Sequence, residues 1–307
     1  MGVSWDICTK EIKWSAAMGN KSNQSEFAQD VRRGNTQFLA GCYDAMSGLL
    51  AEKAGFKALM SSGFAVSAAH LGFPDVELYT MTENLTVVRN ICGVVSVPVI
   101  ADTDTGYGNA INIMRTVREF ENAGVSGMIF EDQLSPKKCA ACANRIELLP
   151  VEEAVGKIRA AIEARQNPNT LVIARTDEVD EDAAIQRATL YVEAGADLIQ
   201  PISRCFKDID GLRRLRKACG VPLSLQILGW LESDLSADEI REVAGLACYP
   251  LVGLMSAAKV LQDNFTALAA DLGTHNLPQQ KMSMDEFKSF IGFTEIELQQ
   301  ERFLLTE

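Results

Sequence analysis

The residues best suited to chemistry come in short clusters. Asp102-Thr103-Asp104 runs into Gly106-Tyr107-Gly108. Glu131 and Asp132 stand together before Gln133, and Arg175-Thr176-Asp177 joins a guanidinium to a carboxylate. Lys137-Lys138-Cys139 sets a thiol beside two ammonium groups. Taken singly, an aspartate in a loop is most often a cap or turn residue. Several carboxylates converging on one mouth, however, repel one another unless a cation sits among them. Mg²⁺ meets that need economically, because it takes oxygen ligands, keeps waters and requires only one or two carboxylates. A thiol flanked by two lysines has a depressed pKa and can act as an acid or a nucleophile. Cys139-Ala140-Ala141-Cys142 is also a C-x-x-C. It has neither the second pair that zinc requires nor a thioredoxin-like setting of strand and helix start.

Composition narrows the classes. The 307 residues are 47% hydrophobic, with 29 Lys plus Arg against 41 Asp plus Glu and a formal charge of −12. So much apolar material excludes a disordered chain, and the acidic balance argues against a duplex nucleic-acid binder. Only two histidines are present, His70 and His275, so a zinc site built on several imidazoles is not expected. His70 reads as a structural hydrogen-bonding residue and His275 as a solvated one. The eight scattered cysteines read as reduced thiols in a cytoplasmic protein, with an organelle as the other compartment of that kind. The opening MGVSWDICTKEIKW shows no apolar leader core, and Asp6 stands where a myristoylation signal needs Ser or Thr. Apolar runs are short and broken, so no membrane span or membrane partner is expected.

The elements that must position these clusters follow from periodicity. Residues 1–25 are polar and aperiodic and read as a flexible arm. From residue 26 to 307 the chain reads as one domain. Eight β-rich runs alternate with helical patterns: Gln37–Gly41, Lys57–Gly63, Pro98–Asp104, Gly127–Gln133, Leu171–Asp177, Asp197–Ser203, Pro222–Leu228 and Ala247–Gly253. The recurring Ala54-Gly55, Ala123-Gly124 and Ala194-Gly195 suit helix C-termini feeding the next strand. This rhythm predicts an α/β (β/α)8 TIM barrel. A doubly wound sheet is the alternative, but no G-x-G-x-x-G follows a strand. In a barrel the chemistry sits at the carboxyl ends of the strands, where all the acidic clusters fall. Asp102 and Asp104, two apart, would share one strand face. From about Ser256 the sequence is helical beyond what closes a barrel, and part of it would pack on a neighbouring subunit. Trp230, after strand seven, fills either the pocket mouth or the core.

Several further pieces carry a resemblance. They are Tyr43-Asp44-Ala45-Met46-Ser47, Ser62-Gly63, Gly72-Phe73-Pro74-Asp75, PVIADTDTGYGNA from Pro98, Phe130-Glu131-Asp132-Gln133, Lys137-Lys138-Cys139 and Ile173-Ala174-Arg175-Thr176-Asp177. In this order and spacing the chain resembles the isocitrate lyase/phosphoenolpyruvate mutase superfamily, in its short-chain lyase branch, over about Asn35 to Leu305. The resemblance implies a barrel whose C-terminal helix is swapped between subunits of a homodimer or homotetramer. It implies Mg²⁺, with Mn²⁺ as a substitute, near Asp102, with Asp104 and Glu131 holding metal waters and Asp75 close by. The carboxylate end of a small 2-oxo or 2-hydroxy acid would meet Ser62, Gly63, Phe64 and Arg175, with Tyr43 and Asp44 lining the mouth. Lys137 to Cys139 would form a lid whose cysteine protonates the departing enolate.

The chain also departs from that branch. Ala140-Ala141 replaces the lid's Gly-His, Ile202 replaces a glutamate after Pro201, and Gln226 stands for an asparagine on strand seven. The expected activity is Mg²⁺-dependent C–C cleavage or hydrolysis of a 2-oxo or 2-hydroxy (di)carboxylic acid through an enolate. Two alternatives stay open: an oxaloacetate-type decarboxylase that does not use Cys139, and a divergent biosynthetic or non-catalytic barrel.

Overall fold

A computed structural model describes residues 21–139, 143 and 145–304. Eight parallel strands close into a barrel in sequence order. They are β1 (Gln37–Cys42), β2 (Leu59–Ser61), β3 (Val99–Asp102), β4 (Gly127–Glu131), β5 (Leu171–Thr176), β6 (Leu198–Pro201), β7 (Leu223–Gln226) and β8 (Ala244–Tyr249). Around them lie α1 (Lys21–Arg33), α2 (Ala45–Lys53), α3 (Gly63–Leu71), α4 (Met81–Val94), α5 (Ala110–Ala123), α6 (Val151–Ala164), α7 (Glu181–Glu193), α8 (Ile209–Cys219), α9 (Trp230–Ser233) and α10 (Ala237–Val243). The expected barrel is therefore found. Of the arm expected over residues 1–25, the first 20 lie outside the described residues, and α1 already begins at Lys21.

Each expected run contains a strand, but the last one is displaced. The segment SADEIREVAGLA reads as one helix, yet α10 ends at Val243 and β8 starts at Ala244. Barrel closure explains this. Ala244 must pair with Leu223 on β7 and Leu246 with Gln37 on β1. Pro250 then ends the strand, having no N–H to give to a ladder. The Ala-Gly steps behave as expected, with φ of +106°, +97° and +107° at Gly55, Gly124 and Gly195.

Alternation along the strands sorts the core into layers. Leu39, Met60, Ile100, Ile129, Ile173, Leu198 and Leu246 fill the barrel interior. Residues such as Met128, Val172, Ile199 and Leu225 face outward and pack under the helices with Phe120, Ile158 and Tyr191. The interior stack ends at the carboxyl edge, where the next inward positions on β3 to β6 are polar: Asp102, Glu131, Arg175 and Gln200.

The chain divides into two compact units, with the break at Ser256. The second unit takes its described residues from α11 (Val252–Asp271), α12 (Met284–Ile291) and α13 (Phe293–Phe303). No residue of these three helices is buried. Among the described residues no helix is long and apolar enough to cross a membrane.

Candidate active site

The strands deliver the acidic clusters to one rim. β3 ends on Asp102, and the chain then turns through four positive φ values: Asp104 (+50°), Gly106 (+85°), Tyr107 (+60°) and Gly108 (+143°). Asp104 therefore lies beyond the strand, and it is not the strand's two-residue alternation that brings it to Asp102. Its backbone N–H donates to Asp102 Oδ1 at 3.1 Å, which ties the two together. Asn84 braces the turn, donating through Nδ2 to Asp102 O (2.8 Å) and to Tyr107 OH (2.7 Å).

The cation found among these carboxylates is a lysine. The Lys137 ammonium lies 2.5 Å from Asp104 Oδ1, 3.0 Å from Asp75 Oδ2 and 3.7 Å from Glu131 Oε1. Burial alone would push its pKa down, but Asp104, Glu131, Asp75 and Asp102 together hold it well above the ordinary lysine value. Lys138 pairs with Glu147 at 3.0 Å. Both lysines expected to depress the Cys139 thiol are thus held by carboxylates. Cys139 is half-buried on the lid, and Ala140 to Cys142 lie outside the described residues.

Arg175 is clamped from two sides. Its Nη1 lies 3.0 Å from Glu131 Oε2, while Nε and Nη2 both reach Asp177 Oδ1, at 3.0 and 2.9 Å. Gln133 completes the frame, donating to Asp177 Oδ2 at 2.7 Å. Behind them, Asp132 accepts from Thr176 Oγ1 (2.8 Å), Asp177 N (2.9 Å) and Tyr191 OH (2.7 Å). The guanidinium is thus fixed between two carboxylates, in charge-assisted contacts on both sides.

The remaining candidates are placed as follows. Ser62 and Gly63 open α3, and the Ser62 hydroxyl makes no cap hydrogen bond. Gly63 N donates to Asp102 Oδ2 at 3.3 Å. A Cβ there would stand 2.8 Å from both Asp102 Oδ2 and Tyr79 OH, so only glycine lets this backbone approach the acid. Phe64 is half-buried on the same turn, and Tyr43 is half-buried just past β1. Asp44 is engaged elsewhere, capping α2 by accepting from Ser47 N at 2.7 Å. Gln226 ends β7 and donates to Gln200 Oε1 at 3.1 Å; Gln200 also accepts from Ser224 Oγ at 2.9 Å. Ile202 is buried in the outer core. Trp230 packs on that core and donates through Nε1 to Ser203 O at 2.7 Å, which favours the packing reading. His70 and His275 are exposed. Glu77, Asn84 and Gln200 join the site without having been singled out, since their partners are set by tertiary contacts.

The donor set suits a hard divalent cation by its chemistry. Among the described residues, the cations that face Asp75, Asp102, Asp104, Glu131 and Asp177 are Lys137 and Arg175. Asp75 Oδ1 and Asp104 Oδ2 are buried without a hydrogen bond among the described residues, and Asp104 Oδ1 meets the Lys137 ammonium. Burial raises Asp75 to about 6 against the pull of Lys137, and it raises Asp102 and Glu131 as well. Such carboxylates are under-compensated, and added positive charge would relieve them. As they stand around the ammonium, no three acidic groups among the described residues have metal-holding spacing.

Comparison with known proteins places this geometry. Residues 27–249 match the family model described as phosphoenolpyruvate phosphomutase. The chain is 38% identical over 261 residues to the 2,3-dimethylmalate lyase of Eubacterium barkeri, covering 83% of this chain and 89% of the relative. It is 34% identical over 274 residues to the oxaloacetate decarboxylase of Chromohalobacter salexigens, covering 87% and 94%. The solved structure of a phosphonopyruvate hydrolase in complex with oxalate and Mg²⁺ superposes with a TM-score of 0.82 at 29% identity, covering 92% of this chain and all of that one. With its closed barrel, its acidic rim and these relatives, the chain belongs to the phosphoenolpyruvate mutase/isocitrate lyase superfamily, in the short-chain lyase branch, and is an enzyme of carbon–carbon lyase or hydrolase type.

Proposed function

We propose that the protein cleaves a C–C bond of a small 2-oxo or 2-hydroxy dicarboxylic acid with Mg²⁺ at the Asp102 rim. The observation that carries this is the forked Arg175 beside an under-compensated carboxylate ring, with the Gly63 N–H aimed into it. Asp102 would hold the cation, with Asp104, Glu131 and Asp75 ordering its waters, and Mn²⁺ would substitute. When bound, the metal supplies Lewis-acid polarisation of the substrate's 2-oxygen.

The chain's own groups do the rest. Arg175 takes the substrate carboxylate, and the Ser62-Gly63-Phe64 turn faces it, with Ser62 N–H donating to Cys42 O and Gly63 N–H to Asp102 Oδ2. Tyr43 and Asp44 line the mouth, and Gln226 meets the distal end. In a 2-hydroxy acid the 2-hydroxyl gives its proton to a rim carboxylate and its oxygen becomes the new C=O. In a 2-oxo acid an added water supplies that hydroxyl. In both, the C2–C3 electron pair passes to C3 as an enolate. The fixed positive groups oppose that charge without reorganising. Cys139 then delivers a proton to the enolate carbon, and Lys137 keeps the carboxylate ring from repelling the product.

A second reading has a specific observation behind it. Lys137 and Lys138 are both engaged by carboxylates, and Ile202 and Gln226 offer no charge to a distal carboxylate. An oxaloacetate-type decarboxylase, which releases CO₂ and takes its proton from water, needs neither the thiol nor a distal cation.

The subunit is read as residues 26–307, acting as a cytoplasmic homodimer or homotetramer in which the C-terminal helices are exchanged. The exposed apolar side chains of α11 to α13 support exchange. The decisive experiment incubates the protein and Mg²⁺ with a panel of 2-oxo and 2-hydroxy dicarboxylic acids, followed by mass spectrometry. A shortened carbon product that disappears with EDTA and in Asp102→Ala is expected. No product from any acid, together with no thermal shift by Mg²⁺ plus oxalate, would overturn the reading in favour of a non-catalytic barrel.

A further inference from the structure

Glu77 sits in a left-handed backbone conformation, φ +57°. Glycine takes that conformation freely and asparagine or aspartate tolerates it, whereas a glutamate rarely adopts it. A glutamate kept at such a position points to work done by its side chain. That side chain joins three loops. Oε1 accepts from Thr105 N (3.4 Å) and from the Thr105 hydroxyl, in the turn that follows Asp104. Oε2 accepts from Ser135 Oγ (2.7 Å) and Lys137 N (2.9 Å) on the lid. Glu77 itself follows Asp75, one of the carboxylates that Lys137 touches.

The lid has other ties, one of them beside Lys137: the Gln133 side chain accepts from Lys138 N at 3.0 Å and donates to Lys138 O at 3.1 Å. Its base is closed by the Gln133–Leu148 bridge and by Leu134 N donating to Glu147 O at 2.8 Å. Further along, Arg204 Nη1 donates to Ala143 O at 2.9 Å. Between these ties, the Lys137 backbone N–H is held by Glu77, and its side chain is 2% exposed.

We propose that Glu77 is the positioning residue that clasps the lid to the β3 turn and thereby seats Lys137 among the carboxylates. Of the two, it is Lys137 that lies in the carboxylate ring, and Glu77 acts through it. The inference rests on the proposed site, but its first test does not need turnover.

Glu77→Gly removes the clasp while suiting the backbone, so the full chain should fold with unchanged circular dichroism. Amine labelling of the whole protein, followed residue by residue by mass spectrometry, is the direct measurement. Lys137 should be protected in the wild type and labelled at least ~10-fold faster in Glu77→Gly, as expected when a local opening becomes frequent. Exposed Lys217 should not change, and Glu77→Gln, which keeps one acceptor per amide, should fall between. Equal protection of Lys137 in Glu77→Gly and wild type overturns the proposal. In turnover, Glu77→Gly should lower kcat more than it raises KM. The double variant with Lys137→Ala should be no slower than Lys137→Ala alone. Multiplying losses would also overturn it. Faster labelling in a protein that turns over no acid would leave the clasp standing and remove only the catalytic reading.

Discussion

Cys139 separates the two chemistries at the scale of one atom. If the thiol protonates the enolate, Cys139→Ser should cut turnover at least ~100-fold, the usual size for a lost general acid. If the enzyme decarboxylates with a proton from water, the same variant should keep nearly full activity in a CO₂-release assay. Asp132 makes a different prediction, about stability. It is buried, and it accepts from Thr176, Asp177, Tyr191 and Arg187. Asp132→Ala strands these four donors and should cost ~3 kcal/mol by urea unfolding. A loss under ~1 kcal/mol would show that water replaces the acid there without penalty. Which of these residues could be read in advance depended on how local their partners are. Asp102, Glu131 and Arg175 were legible because the first two end strands, the third stands one residue before the end of β5, and each carries its own neighbours. The Lys137–Asp75 contact spans 62 residues and Gln133–Asp177 spans 44. No pattern along the chain signals such pairs, so the charge that balances the ring was assigned to Mg²⁺ alone.

At the scale of elements, periodicity found every strand because apolar runs and Ala-Gly caps are local features. It misplaced β8 because AGLA has no strand signal of its own, and only pairing with β1 and β7 makes it extended. The seam between β1 and the end of β8 is tight. A Cβ on Gly41 would lie 2.2 Å from Pro250 O, a backbone atom that cannot rotate away. Gly41→Ala should therefore destabilise the barrel by ~3 kcal/mol, at the upper end of overpacking costs, as measured by denaturant midpoint. An unchanged midpoint would mean that the turn after β8 shifts without cost. Gly63→Ala tests the rim instead of the seam. Its Cβ would press on Asp102 Oδ2 and Tyr79 OH, so calorimetry should show weaker binding of Mg²⁺ plus oxalate with little change in melting temperature.

At the scale of the molecule, the C-terminal helices and the net charge make opposing demands. Val260, Leu261 and Phe265 on α11, Met284 on α12 and Phe293, Leu298 and Phe303 on α13 are all exposed in the single chain. That much apolar surface in one unit is unusual for a monomer and suits a second copy. A charge of −12 on each chain, however, makes two copies repel. If apolar contact wins, salt should strengthen the assembly, because it screens the repulsion and leaves hydrophobic burial intact. If the copies were held by ion pairs, salt should weaken it. Sedimentation velocity at low and high salt should therefore show a species at a multiple of 33.5 kDa whose population grows with salt. Leu261→Asp with Phe265→Asp, which charges two exposed positions one turn apart on α11, should return it to the monomer mass. A wild type that stays at 33.5 kDa at micromolar concentration in high salt would rule out exchanged helices and leave the barrel to act alone.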